Sequence, residues 1–441
     1  MSGMRNSDQG DIASREEFSM IKQAVSILAL LMICSGCSQN NAANHITPSP
    51  IPSPSESPAS QPTIHPTVAP TLAPTETADP LKEQIASMTL DEKIGQLVLV
   101  GMEGTTMQAQ AGEMIDKYHV SGFILYKDNI TDAAQTVKLL NQLKKKNAGS
   151  QAPLWLSIDQ EGGKVSRMPS EFTKIPPAAE VGRADRIAYT RKIGEALGAE
   201  VSALGFNMDF APVLDINSNP NNPVIGNRSF GTNPETVSMH GIETMKAIQS
   251  KQVAAVVKHF PGHGDTSVDS HLELPVVNKS LAELQAFELL PFVEAIKQDA
   301  DAIMIAHLLI PKIDKNDPAS LSKTMITDIL RVDLGYDGVV ITDDMTMGGI
   351  TGHFDVGEAA VRSILAGSDM ILVGHDYQTQ VSVLKALKLS ARDGLITKDM
   401  LDQSVYRILS LKEKYKLQDT SVASVDVKAV NRQINAALQA K

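Results

Sequence analysis

Residues 254–260 read AAVVKHF. Ala254 to Val257 carry no polar side chain, and the run then ends on Lys258 and His259. A strand covered on both faces is continuously apolar rather than alternating, so this segment reads as a buried strand with its polar residues at the C-terminal end. The same design recurs along the chain. IGQLVLVGM (94–102), GFILYK (122–127), PLWLSID (153–159), FNMDFAPV (206–213), AIMIAHL (302–308), GVVITDD (338–344) and DMILVG (369–374) bring the number of such runs to eight.

Most intervals carry a helical pattern, as in AAQTVKLLNQLKKK, ETVSMHGIETMKAIQS and AELQAFELLPFVEAIKQ. Eight buried strands with crossover helices predict an α/β fold, a (β/α)8 barrel of the TIM type, with an open doubly wound sheet as the alternative for the same elements. Thr89-Leu-Asp-Glu92 is a capping box at the entry to a first helix, and a helical segment around 397–416 ends the folded part. The barrel domain is therefore expected over 81–420, with 421–441 as a C-terminal tail, and no internal repeat is evident.

The residues before the barrel belong to another class. MIKQAVSILALLMICSGC, from Met20 to Cys37, combines one lysine, a short apolar stretch and small residues before a cysteine. That is the layout of a secretory signal, too short for a comfortable transmembrane span. Ser35-Gly36-Cys37 resembles the end of a bacterial lipoprotein signal, with Cys37 as the lipid attachment site, although Cys34 stands where Leu, Val or Ile is usual. Residues 1–37 are thus expected to be a signal region, with translation starting at Met20. Residues 38–80 are rich in Pro, Ser and Thr, with too few large apolar groups to offset the entropy of ordering, and read as an extended spacer. The expected location is outside the cytoplasm, with the membrane touched only through the N-terminal lipid.

Charge and cysteine content exclude other classes. The chain of 441 residues carries a net charge of −11, and its Lys and Arg are scattered, so it has no basic footprint for nucleic acid. The two cysteines, Cys34 and Cys37, lie in the signal region, leaving none downstream for a disulfide or thiolate site.

In a barrel of this kind, side chains at the C-terminal strand ends converge on one mouth. Asp159, Lys258, His259, His307, Asp343 and Asp344 all fall at such ends, and Arg228 lies in the loop after the fourth strand. The segment KHFPGHGDTSVDSH (258–271) adds His263, Asp265, Asp269 and His271. As metal ligands its histidines are poorly spaced, because Pro261, Gly262 and Gly264 break the helix that would align them one turn apart. No metal or other cofactor is expected. Asp269-Ser270-His271 suits acid–base work better: the carboxylate can fix the tautomer of the imidazole, and the glycines allow the loop to fold over the mouth.

These segments resemble glycoside hydrolase family 3, in its β-N-acetylglucosaminidase (β-hexosaminidase) branch. The resemblance rests on DQEGGKVSRM (159–168), FAPVLDIN (210–217), IGNRSFG (225–231), KHFPGHGDTSVDSH (258–271), MIAHLLIP (304–311) and ITDDMTM (341–347), which occur in this order across the folded region. It implies a retaining exo-glycosidase in which Asp343 is the nucleophile, His271 the acid/base and Asp269 its partner, while Asp159, Arg167, Arg228, Lys258 and His259 grip the terminal sugar. Spacing alone leaves Asp343 and Asp344 equal. The implied substrate is a terminal β-linked GlcNAc on muropeptides or chitin-type oligosaccharides, handled by a monomer. Other family 3 glycosidases, a phosphorylase, or a non-catalytic sugar-binding lipoprotein are the competing readings.

Overall fold

The computed structural model describes residues 79–441. The expected signal, Cys37 and nearly all of the spacer lie outside that range. Eight parallel strands form one sheet: β1 (Val98–Val100), β2 (Gly122–Leu125), β3 (Trp155–Ile158), β4 (Met208–Asp209), β5 (Ala254–Phe260), β6 (Ala302–Ile305), β7 (Val339–Thr342) and β8 (Ile371–Val373). Their spatial order is β7-β6-β5-β4-β3-β2-β1-β8, and a parallel bridge between Ile341 and Met370 joins the two ends. The sheet is thus a closed barrel, and the open-sheet alternative fails on that bridge.

Every strand residue is buried, which explains the unbroken apolar runs: one side fills the barrel and the other meets the helices. Large side chains such as Trp155, Phe123, Phe210, Phe260 and Phe292 are fully enclosed. The capping box forms as read, with Thr89 accepting from the Glu92 N–H and the Glu92 carboxylate receiving the Thr89 N–H.

Three boundaries differ from the reading. The first apolar run opens as helix, Leu90–Gln96, and only Val98–Val100 pairs as strand. Short windows of Ile, Leu and Val carry no period that separates these states. AELQAFELLPFVEAIKQ splits into two helices, Leu281–Ala286 and Leu290–Lys297, with Pro291 in the first turn of the second, where its missing N–H costs nothing. The segment 421–441 also carries a helix, Val427–Leu438, which buries Val430, Ile434 and Ala437 at i, i+4 and i+7. Among the described residues no helix is long and apolar enough to cross a membrane.

Candidate active site

A cavity of about 320 Å³ opens at the C-terminal ends of the strands. Tyr126, Asp159, Arg167, Arg228, Lys258, His259, His271, Asp343 and Asp344 all line it. The strand ends and the loops that follow them therefore bring seven of the eight expected catalytic and sugar-gripping residues to one cavity, and Asp269 reaches it through His271.

The wall from β3 to β5 is a compact ion network. Lys258 Nζ lies 2.6 Å from Asp159 and 2.8 Å from Glu161. Glu161 in turn receives Arg228 through two bonds, from Nε at 2.9 Å and from Nη2 at 2.7 Å. Burial opposes the charge on Glu161, but Arg228 and Lys258 outweigh it and hold the carboxyl far below its usual range. Lys258 shows the converse: burial lowers its proton affinity, and Asp159 and Glu161 more than restore it. Arg167 approaches Asp159 at 3.7 Å, and its Nε is buried with no hydrogen-bond partner among the described residues.

His259 is held from behind. Its Nδ1 lies 2.6 Å from Asp215 Oδ2, while Asp215 Oδ1 receives the His263 N–H at 2.6 Å. Asp215 is fully buried; burial raises its proton affinity, and the opposing effects of His259 and His263 keep it ionised. Since that carboxylate can only accept, Nδ1 of His259 carries a proton and Nε2 faces Arg228 at 3.5 Å.

Asp343 and Asp344 are no longer equal. Asp344 is committed to the fold: Oδ1 accepts from the Thr346 N–H and hydroxyl at 2.9 and 2.8 Å and from the Gly374 N–H at 2.9 Å. Its Oδ2 accepts from the Tyr126 hydroxyl at 3.3 Å. Among the described residues Asp343 accepts only the Asp344 N–H, at 2.9 Å, and it is half-buried against the cavity. Burial works against its ionisation, but His259, His307, that N–H and His271 together leave its pKa below the ordinary carboxylate value. Lys258 and Arg228 are engaged instead by Asp159 and Glu161. His307 itself is driven toward neutrality by burial.

The loop after β5 carries the Asp269–His271 pair. Asp269 Oδ1 receives the His271 N–H at 2.9 Å and lies 2.7 Å from its Nδ1, with the imidazole side chain 62% exposed. The bond to Nδ1 leaves Nε2 as the ring nitrogen that this carboxylate does not engage. Of the two loop glycines expected to supply sharp reversals, Gly262 has a positive φ of 125°. Gly264 is required for a different reason, because a Cβ there would sit 1.8 Å from the Ile216 carbonyl oxygen. His307, placed on the rim by its position after β6, instead lies fully buried beneath it, bonded to Ser320 Oγ at 2.7 Å and to the Asp344 carbonyl at 3.1 Å.

Residue-by-residue reading passed over Glu161 and Asp215, although both lie in the motifs quoted above. Charge balance was the available signal: two cations buried at strand ends need more than one carboxylate. The wall at β2 and β8 also went unread, where Tyr126 and His375 stack with ring centroids 4.6 Å apart. Among the described residues no group of three His, Cys, Asp or Glu is arranged to hold a metal ion.

Similarity to known proteins bears on the chemistry. The family description "Glycosyl hydrolase family 3 N terminal domain" matches residues 89–411. Beta-hexosaminidase A of Pseudoalteromonas piscicida is 36% identical over 343 residues, covering 72% of this chain, and the chain spans 57% of that protein's length. Beta-hexosaminidase LpqI of Mycobacterium tuberculosis is 34% identical over 328 residues, covering 73% of this chain and 82% of its own. A solved glycoside hydrolase family 3 β-N-acetylglucosaminidase from Paenibacillus sp. superposes with a TM-score of 0.76 at 41% identity, covering 80% of this chain and 68% of that one. With the match running from the capping box at Thr89 to the second helix after β8, Lys398–Lys414, through every strand that lines the cavity, the chain belongs to glycosyl hydrolase family 3.

Proposed function

We propose that the protein is an exo-acting β-N-acetylglucosaminidase that works with retention of configuration. One observation carries the reading: Asp343, the carboxylate with a free oxygen, and His271, an imidazole oriented by Asp269, line the same cavity from β7 and from the loop after β5. A retaining glycosidase needs a nucleophile and a proton donor beside one scissile bond. In the first step an Asp343 oxygen attacks the anomeric carbon, the bond to the leaving oxygen breaks, and Nε2 of protonated His271 gives that oxygen its proton. In the second step water attacks the glycosyl ester, Nε2 takes the proton of the water, and Asp343 leaves as carboxylate. Asp269 holds Nδ1–H throughout, so that Nε2 is the nitrogen that gives and takes the proton.

Asp159, Arg167, Arg228, Lys258 and His259 grip the hydroxyls of the terminal sugar. Lys258 and Arg228 are already oriented by Asp159 and Glu161, so little ordering is left to the moment of binding. The substrate is a terminal β-linked GlcNAc on muropeptides or chitin-type oligosaccharides. Lipid attachment at Cys37 and the spacer that follows it would hold the enzyme outside the cytoplasm, near wall glycans. The named relatives support the sugar, and the cavity supports the chemistry.

The test compares p-nitrophenyl β-GlcNAc with the β-glucoside and follows the first product by proton NMR. Preferred release of GlcNAc as the β-anomer is expected; an α-anomer, or preference for the glucoside, would sink the reading. Dependence of product identity on phosphate would reveal a phosphorylase. For the anchor, the mass of the mature N-terminus is expected to show a diacylated Cys37, and an unmodified chain starting at Met1 would exclude it.

A further inference from the structure

His271 has an exposed side chain on a tightly held backbone. The Gly348 N–H donates to the His271 carbonyl and the Gly349 N–H to the Ser270 carbonyl, both at 3.1 Å. Ser270 Oγ lies 2.9 Å from Nε2 of His263, with both residues almost fully buried. The other ring nitrogen of His263 bonds Thr266 Oγ1 at 2.9 Å, and Asn222 Nδ2 reaches that hydroxyl at 3.2 Å. Burial, then the neighbouring His259, bring the pKa of His263 down to about 4, so the seat under Ser270 is an uncharged ring at neutral pH.

Gly348 and Gly349 begin the short helix Gly348–Thr351, only a few residues beyond Asp343 on the extension of β7. The loop that carries the imidazole is therefore fastened to the same segment that carries the candidate nucleophile. A Cβ on Gly348 would lie 2.5 Å from the Leu272 carbonyl oxygen and 2.8 Å from that of His271, inside van der Waals contact. The backbone of Gly348 is not left-handed, so alanine is forbidden there by the docked loop rather than by its own conformation.

We propose that Gly348, Gly349 and the Ser270–His263 seat form a latch that sets the position of the His271 imidazole relative to Asp343. These are positioning residues, and the inference rests on the acid/base reading of His271. An acid on an unlatched loop would still titrate but would miss the leaving oxygen, and misplacement of about 1 Å is enough to cost on the order of 100-fold.

The experiment measures kcat/KM, which reports the glycosylation step, on chitobiose and on 2,4-dinitrophenyl β-GlcNAc, whose leaving group needs no proton. Wild type is compared with His271→Ala, Gly348→Ala and Ser270→Ala. The readout is the ratio of the two values, because a partly unfolded variant lowers both alike. His271→Ala should lower the chitobiose value by roughly 100-fold or more while sparing the aryl substrate. Gly348→Ala should reproduce that selective loss by at least about 10-fold, and Ser270→Ala, which removes one bond of the latch, by about 3- to 10-fold.

Equal losses on both substrates for Gly348→Ala, or an unchanged ratio in the folded variant, would overturn the latch. Should Gly348→Ala fail to fold, an unchanged ratio for Ser270→Ala would overturn it alone. If His271→Ala shows no dependence on the leaving group, the acid/base reading fails instead, and the two failures are told apart by that control.

Discussion

Lys258 and His271 stand thirteen residues apart in one loop-and-strand segment, yet their side chains are 3% and 62% exposed. Lys258 is clamped between two carboxylates, of which Glu161 also bonds Arg228 while Arg167 approaches Asp159 at 3.7 Å; His271 has one carboxylate partner on its own loop. On the proposed roles, sugar binding for Lys258 and proton donation for His271, the difference follows what each group would have to do. A terminal sugar presents the same hydroxyls at every turnover, so its binding groups can be built into the strands and neutralised in advance. The proton donor must serve a variable leaving oxygen and then a water molecule, which requires access to solvent. Electrostatic preorganisation is thus concentrated on β3 to β5, and the titrating group is hung outside it and located by its backbone.

The largest expected break in this arrangement is Asp343→Asn, which should reduce kcat on the order of 10⁴-fold while leaving the unfolding midpoint close to wild type. Near-normal turnover would remove Asp343 from the chemistry and with it the meaning of the comparison. Next comes Glu161→Gln. It halves the carboxylate complement facing Lys258 and Arg228, and leaving a buried charge uncompensated costs about 3–5 kcal/mol. Urea unfolding should show that loss, accompanied by a raised KM; a neutral result would mean that the network is not a preformed grip. Asp344→Asn should act mainly on stability, by about 1–3 kcal/mol, because both oxygens of Asp344 are bonded to Thr346, Gly374 and Tyr126. A catalytic loss as deep as that of Asp343→Asn would reopen the choice between the two aspartates.

These positions also show what a bare sequence discloses. Barrel and rim were legible because strand burial leaves unbroken apolar runs, and because a parallel barrel turns all C-terminal strand ends to one side. Lys258 and Asp343 could be placed by that rule alone. His307 obeyed the same rule and still lies below the rim, since two residues past a strand the chain is already turning, and only contacts with Ser320 and the Asp344 carbonyl fix where the ring goes. Glu161 and Asp215 hid for the opposite reason. Each acts through a partner distant in sequence, Arg228 and His259, and such pairings are made by the closed ring rather than by spacing. The helix Val427–Leu438 was lost among polar residues, because only three of its twelve residues, Val430, Ile434 and Ala437, are fully buried.

The smallest effect sharpens the contrast from the exposed side. Asp269 has a pKa below the ordinary value because, against a burial penalty, it accepts the backbone and side-chain N–H groups of His271. A depressed carboxyl contributes stability that is fully present above its unfolded value, about 3.9, and disappears as pH falls through the folded one. Its side chain is 32% exposed and its partner 62%, so solvent screening keeps the contribution under about 1 kcal/mol. Asp269→Asn should therefore lie within about 1 kcal/mol of wild type in urea unfolding at pH 7, and the two curves should converge on acidification below about pH 3.9. Glu161→Gln has the same sign, but its gap should persist to lower pH, because Arg228 and Lys258 hold Glu161 further down. Were Asp269→Asn to cost as much as Glu161→Gln, the pair on the loop would not be a screened surface pair, and the division between a rigid grip and an exposed proton donor would not hold.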